Sequence, residues 1–352
     1  MGSRRFLPLV LLVLLLAQMQ GSTSVALADA TGREYLSGRG LIERNDKWLL
    51  PLELEVQQRV QKLPKLETNL IQAENYQQRL AQNLFTTNAR LQLGIQTAET
   101  NLRILQAGRE ELRAEGRKRL VDARIKSEQE KLDALRNAWV EPEHIAGLPM
   151  MKEAVILLTN HRNELALTIL FIHDARPSLR EQYAELKKDV HVGAALKQLG
   201  NDQQLGSGID YDSKAFLTKL AGYEKLVFTD EVPLYRAAED FRVAGLINRT
   251  PVTFTWHVSE GPTMLTASVL ESVGLQVPRD APKKVWRFPD GNELAVREIK
   301  IPYLRFGRHV LKDVSAFVLP PEGERYGTQI GPVAFEGQSP EADAKRMRLV
   351  IQ

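Results

Sequence analysis

Two hydrophobic periods run through this chain of 352 residues in separate blocks, and no single layer of structure accommodates both. Between Leu52 and Ala107 apolar residues such as Val56, Val60, Leu63, Leu66, Leu70 and Ala73 recur at threes and fours among Gln, Glu, Asn and Arg. That spacing predicts a long amphipathic helix with a narrow apolar seam. Pro64 is the exception within it and predicts a kink or break, because proline removes a helical hydrogen bond and clashes with the preceding turn. From about Asp230 the period changes to two, as in Val252, Phe254 and Trp256 alternating with Thr253 and Thr255, which predicts half-buried strands. The fold class expected is therefore α+β and multidomain, a long helical or coiled-coil region followed by an all-β domain.

The blocks divide as follows. Residues 1–28 hold Arg4 and Arg5, the apolar run Phe6 to Ala17 and the small-x-small triplet Ala26-Leu27-Ala28, the pattern of a secretory signal peptide cleaved after Ala28. Its apolar run falls short of the ~20 residues of a comfortable membrane span, so a secreted or periplasmic protein with no membrane span after cleavage is expected. Residues 29–51 carry a short β-hairpin turning at Asn45-Asp46. Residues 52–140 form a coiled coil or helical hairpin, with the second, charge-rich segment running from Arg109 to Trp139 and stopped by Glu141-Pro142. Residues 141–229 are further helix and linker: an apolar helix over Met151–His173 broken at Arg176-Pro177, a helix over Ser178–Leu199 ended by Gly200, a linker at Gly206-Ser207-Gly208, and a short helix from Lys214 to Tyr223. Residues 230–352 are the β domain.

Composition excludes several chemistries. With no cysteine there is no disulfide, thiol nucleophile, cysteine zinc site or lipid-attachment cysteine. The net charge of +3, reduced by two once Arg4 and Arg5 leave, is spread over interspersed acids and bases, and no nucleic-acid partner is expected. His161, His173 and His191 lack the i, i+4 pairing and carboxylate company of a metal site. No phosphate-cradling glycine loop is present, so neither metal nor cofactor is expected.

The stretch from Thr250 to Val277, TPVTFTWHVSEGPTMLTASVLESVGLQV, is the one on which a function can be read. Its strand stops at Ser259-Glu260-Gly261-Pro262. Thr266-Ala267-Ser268 then caps a short helix with Val269, Leu270 and Val273 as its apolar stripe, and Gly274 ends it before Leu275 and Val277 resume as strand. These residues resemble the retropepsin-like aspartic protease family, whose members read an apolar strand, Asp-Thr/Ser-Gly-Ala, a hydroxyl residue, a short helix and Leu-Gly-Leu. Val258 matches the strand end, Gly261 the glycine, Thr263 the hydroxyl residue and Val273-Gly274-Leu275 the exit. The departures are Ser259 at the catalytic Asp position, Glu260 at the Thr/Ser position and Pro262 at the Ala position.

What the resemblance implies is a barrel domain over residues 230–352 whose groove is built by two chains of a homodimer, each supplying one carboxylate. An aspartic protease needs two carboxylates close enough to share a proton. A serine hydroxyl does not ionise near neutral pH, so Ser259, Glu260 and Gly261 form a degenerate active-site turn and no catalytic residue is assigned. Further landmarks follow in the family's order: a hairpin of Val285–Phe288 and Leu294–Ile301 at the flap position, strands over Leu304–Val314 and Ser315–Leu319, Ile330-Gly331 with Phe335, where Gln329 and Pro332 are departures, and a closing strand over Met347–Ile351. Asp290-Gly291 reads as the hairpin turn and not as a catalytic pair, and His257 with Ser259 lacks the third residue of a hydrolase triad. The function expected is an exported, catalytically inactive homologue that binds peptide or protein, or serves as a scaffold. The alternatives are an active aspartic endopeptidase and a structural coiled-coil protein.

Overall fold

The structure is a computed structural model, described over residues 31–200, 204–238, 240–257 and 261–352. The expected signal segment, Val258, and Ser259 and Glu260 of the turn lie outside the described residues. The chain divides into two compact units that interleave along the sequence. The first takes the residues up to Lys65 and Leu165–Glu224, and the second takes Leu66–Glu164 and Lys225–Gln352.

In the first unit a helix over residues 31–38 (α1) precedes strands β1 (Ile42–Arg44) and β2 (Lys47–Leu49). These pair antiparallel around Asn45 and Asp46, both at positive φ, as a two-residue hairpin turn requires. A third strand not foreseen from sequence, β3 (Gln204–Leu205), joins β2 in parallel. Trp48, Leu36, Val56, Leu179 and Val192 form the core with residues from the start of helix α2 (Pro51–Glu111), the later part of α4 (Pro149–Lys188) and α5 (Val190–Leu199). Glu53, in the first turn of α2 and only 2% exposed, ties these segments together. Its carboxylate accepts from the hydroxyls of Tyr183 and Ser207 and from the Ser207 amide at 3.2 Å, while the Leu50 amide donates to Tyr183 at 3.0 Å. A carboxylate satisfied by several donors is a tolerable buried charge, which explains an acid at a core position. The unit also holds most of helix α6 (Lys214–Val227).

Neither Pro64, expected to kink or break its helix, nor Pro177, expected to break its own, interrupts the helix it lies in, α2 and α4 respectively. The residues on either side are buried, Leu63 and Leu66 in the first case and Ala175 and Leu179 in the second, so packing on both sides outweighs the lost hydrogen bond. The break that does occur lies at Asp189, whose carboxylate accepts from the His191 amide at 2.9 Å and caps α5.

In the second unit the rest of α2 is followed by a short interruption and then α3 (Glu115–Ala138). Arg136 meets Glu99 at 2.7 Å, Asn101 meets Glu128 at 3.2 Å, and Arg109 pairs with Asp122, so partners advance in opposite directions along the two helices. That is an antiparallel helical hairpin, one of the two arrangements expected, sealed by Ala98, Leu102 and Leu132.

The residues after 230 build a large sheet, as the period-2 pattern required. Its strands are β4 (Glu231–Ala237), β5 (Asp240–Ile247), β6 (Thr250–Trp256), β7 (Thr263–Leu265), β8 (Lys283–Arg287), β9 (Glu293–Phe306), β10 (His309–Val318), β11 (Gln329–Ile330), β12 (Pro340–Asp343) and β13 (Arg348–Ile351). The order is β12-β13-β4-β5-β6-β11-β7-β10-β9-β8, with β9 also returning beside β5 at Leu246–Arg305 and Ile247–Leu304. Phe254, Phe306, Phe335 and Trp256 pack ring against ring in its core at tilted or edge-on angles. Three sequence readings are corrected. Leu304–Val314 is not one strand and Ser315–Leu319 is not a separate one, because the chain reverses at Gly307-Arg308 between β9 and β10 and β10 then runs on unbroken to Val318. Leu275 and Val277 do not resume as strand, although they pack on the core.

Candidate functional site: the turn after β6 and the hairpin above it

Strand β6 delivers the chain to the turn. Its Thr255 amide donates to the Thr328 carbonyl at 2.8 Å and the His257 amide to the Ile330 carbonyl at 2.9 Å, so β11 lies parallel to it. On its other side β11 pairs with β7 through Gln329–Met264, and β7 runs parallel to β10. The strand entering the turn and the strand leaving it are therefore held apart by β11. Gly261 and Pro262, on the exit side, are half-buried.

The exit is fixed by hydroxyls. Thr266 caps helix α7 (Ala267–Ser272), with its oxygen accepting from the Val269 amide at 3.4 Å, as the sequence predicts. The Thr266 amide donates to the Thr328 hydroxyl at 3.3 Å. Thr255 is buried and accepts from the guanidinium of Arg242. Thr263, the residue matched to the family's hydroxyl position, is 3% exposed, and its hydroxyl has no partner among the described residues. The same holds for the Trp256 indole nitrogen and for His257 Nε2. Three orphaned polar atoms thus flank the turn on both sides.

Carboxylates near this region already have structural partners. Glu324 accepts from the Ser268 amide and hydroxyl, both at 3.0 Å, placing a negative charge at the start of α7. Asp290 accepts from the Asn292 amide at 3.1 Å and the Tyr326 hydroxyl at 2.7 Å, and sits 3.4 Å from Arg325. It is a turn organiser, as Asp-Gly in a hairpin should be. Among the described residues no group of three or more His, Asp or Glu is arranged to hold a metal ion. His173, in the first unit, lies 2.5 Å from Glu224.

The hairpin of β8 and β9 has the expected turn, but its tip is fastened. Phe288 is 4% exposed and stacks on Tyr326 with ring centroids 3.6 Å apart and planes 8° from parallel. The tip carries its own bonds, Phe288 amide to Asn292 carbonyl at 2.8 Å and Gly291 amide to Phe288 carbonyl at 2.9 Å. Tyr326 belongs to the 3₁₀ turn Pro321–Tyr326, which also carries Glu324. Hairpin tip, 3₁₀ turn and the start of α7 are therefore linked in sequence by side-chain contacts. Nothing in the spacing of Tyr326 signals that role, since a stacking partner 38 positions away leaves no local pattern.

A consequence can be measured. Tyr326→Ala should release the tip and speed amide exchange at Phe288 and Gly291 by roughly tenfold or more, since an aromatic pair contributes about 0.5–1.5 kcal/mol beyond its area and the hydroxyl adds a bond to a carboxylate. Tyr326→Phe, keeping the stack, should fall between. Unchanged exchange in both variants would mean that the tip is held by its own strands. The Tyr326 hydroxyl, first among several donors, holds the Asp290 carboxyl below its ordinary range. That contribution is present above the unfolded pKa and is lost as pH falls through the lower folded value, so the tip should stay fastened at pH 5.

Comparison with known proteins adds little. No protein-family model matches the chain, and no curated protein matches it. Among solved structures, a retropepsin-like aspartic protease from Rickettsia conorii is similar over 34% of this chain and 89% of that chain, at 14% identity and a TM-score of 0.29. A likeness of that size carries no argument about the site. The class that the fold itself defines is a long helical region followed by a large β-sheet.

Proposed function

We propose that this chain is an exported retropepsin-like protein whose β region closes as a barrel, whose active-site turn is catalytically inactive, and which works as a homodimeric peptide- or protein-binding or scaffold module. The observation that carries the reading is the arrangement around the turn: β6, the turn, β7 and a Thr266-capped α7, with β11 lying between the two strands, in the order in which the family's landmarks fall along the sequence. Along the sequence of that stretch Ser259, Glu260 and Pro262 stand where the family has Asp, Thr or Ser, and Ala. Serine supplies neither the base nor the shared proton of a carboxylate dyad. The fastened hairpin favours a groove of fixed shape over one that opens and shuts on each turnover.

Self-association draws support from the helical hairpin. Leu93 and Ile104 are each 65% exposed on α2 and stand eleven residues apart, three turns along one face, where a second helix would bury them.

Incubating the purified protein with a mixed peptide library between pH 3 and pH 7 tests the reading. The expected result is no cleavage at any pH and retention of a subset of peptides. Pepstatin-sensitive cleavage abolished by Glu260→Gln would establish Glu260 as a working carboxylate and overturn it.

A further inference from the structure

Within the second unit a cleft of about 580 Å³ is lined by Glu74, Arg162, Lys225, Asp230, Glu231, Arg308 and Arg348, among others. Two of its arginines are more than nine-tenths buried, Arg162 at 8% exposure and Arg348 at 6%. The carboxylates in the cleft are already engaged: Glu74 by Arg348 at 2.8 Å, Asp230 by Arg308 and by His309 at 2.9 Å, and Glu231 by Arg346 at 2.7 Å. The cations are not all matched in return. Arg162 donates to the Val227 carbonyl at 3.0 Å and to the Thr229 hydroxyl, both neutral, and has no carboxylate within ion-pair distance among the described residues. Lys225, exposed at the rim, has none either. Glu74 and Glu231 act on Arg162 through space, but each is paired with another arginine, and a guanidinium taken out of water with so little counter-charge is costly unless an anion reaches it.

We infer that this cleft is an oxyanion site, with Arg162 and Arg348 at its floor and Lys225 at its mouth, for a ligand bearing a phosphate or carboxylate group. Guanidinium groups suit both, because their planar fork of N–H donors matches the oxygens of either group. Burial, and then the neighbouring Arg348, push the Arg162 guanidinium down to about 10, so it still carries its charge at neutral pH. The placement has no relation to the turn after β6 and does not depend on the function proposed for it.

The test uses the full chain, labelled with ¹⁵N, titrated separately with inorganic phosphate and with succinate, ionic strength being held constant with sodium chloride. The expected result is a saturable shift of the Arg162 and Arg348 Nε–Hε signals in at least one titration, the tighter of the two naming the source of the oxyanion. Arg162 also anchors Val227 and Thr229, so its replacement risks unfolding. Lys225→Gln avoids that risk and should weaken the binding about threefold, the worth of one exposed charge pair. Shifts that stay linear in both titrations, or an affinity unchanged in Lys225→Gln, would overturn the site and leave the cleft as a closed salt-bridge network.

Discussion

Replacing Gly307 with alanine is expected to unfold the β region or to cost it about 2–5 kcal/mol, far more than a glycine-to-alanine change in an ordinary turn. Gly307 turns the chain between β9 and β10 at φ +53°, a left-handed conformation that costs an L side chain roughly 1–2 kcal/mol. Space is the larger obstacle. A Cβ at this position would run into the backbone carbonyl oxygen of Thr229 and come within 3.3 Å of a Val232 methyl. That carbonyl cannot swing aside freely, because it accepts from the Arg308 amide at 3.1 Å, and the Thr229 hydroxyl is tied both to the Glu231 carbonyl and to Arg162.

Gly274→Ala serves as the control. Gly274 also sits at positive φ, +69°, but nothing lies within 4 Å of its missing Cβ, so only the conformational strain applies. Chemical denaturation followed by near-ultraviolet circular dichroism of the aromatic core should rank the two variants well apart. With two compact units present, the readout should follow the aromatic signal of the β region and not a single global midpoint. Equal losses in both variants would show that the close approach to Thr229 does not matter.

Gly307 also marks where sequence reasoning reached its limit. Strong local signals transferred directly into structure: the positive-φ pair Asn45-Asp46 turned a hairpin, Thr266 capped α7, Asp290-Gly291 turned β8 into β9, and the three-four period of the residues after Leu52 became one long helix. Each of those depends on residues adjacent in the chain. Gly307, set between Phe306 and Arg308 inside a run with strand-like residues on both sides, offers no comparable contrast. Pro64 and Pro177 failed in the opposite direction, where a strong local signal yielded to burial of the residues flanking it. Features that rest on distant pairs left no trace, among them the stacking of Phe288 on Tyr326 and the insertion of Gln329-Ile330 between β6 and β7. For the candidate site the legible part was chemical identity. A serine, Ser259, where the resemblance would put an aspartate is visible in the letters alone, whereas only packing shows that the Thr263 hydroxyl and His257 Nε2 have no partner among the described residues.

The second large effect concerns that serine. Under the proposed reading, Ser259→Asp with Glu260→Thr would give the Asp-Thr-Gly of the family the chain resembles and, in a homodimer, bring two aspartates across the symmetry axis, where they would titrate as a coupled pair with one raised apparent pKa. Pro262 stands in the way. It fixes its own φ, removes an amide donor and restricts Gly261 before it. The double variant should therefore remain almost inactive, and addition of Pro262→Ala should raise acid-optimum proteolysis from none to a weak but measurable rate.

The measurement that bears most directly on the central claim is peptide hydrolysis by this triple variant between pH 3 and pH 7, run beside the wild-type protein, after both are confirmed to be folded and dimeric. A retropepsin-like frame with a disabled turn predicts pepstatin-sensitive cleavage with an acid optimum in the triple variant and none in the wild type. A folded, dimeric triple variant that stays wholly inert, or a wild-type chain that cleaves equally well, would contradict it.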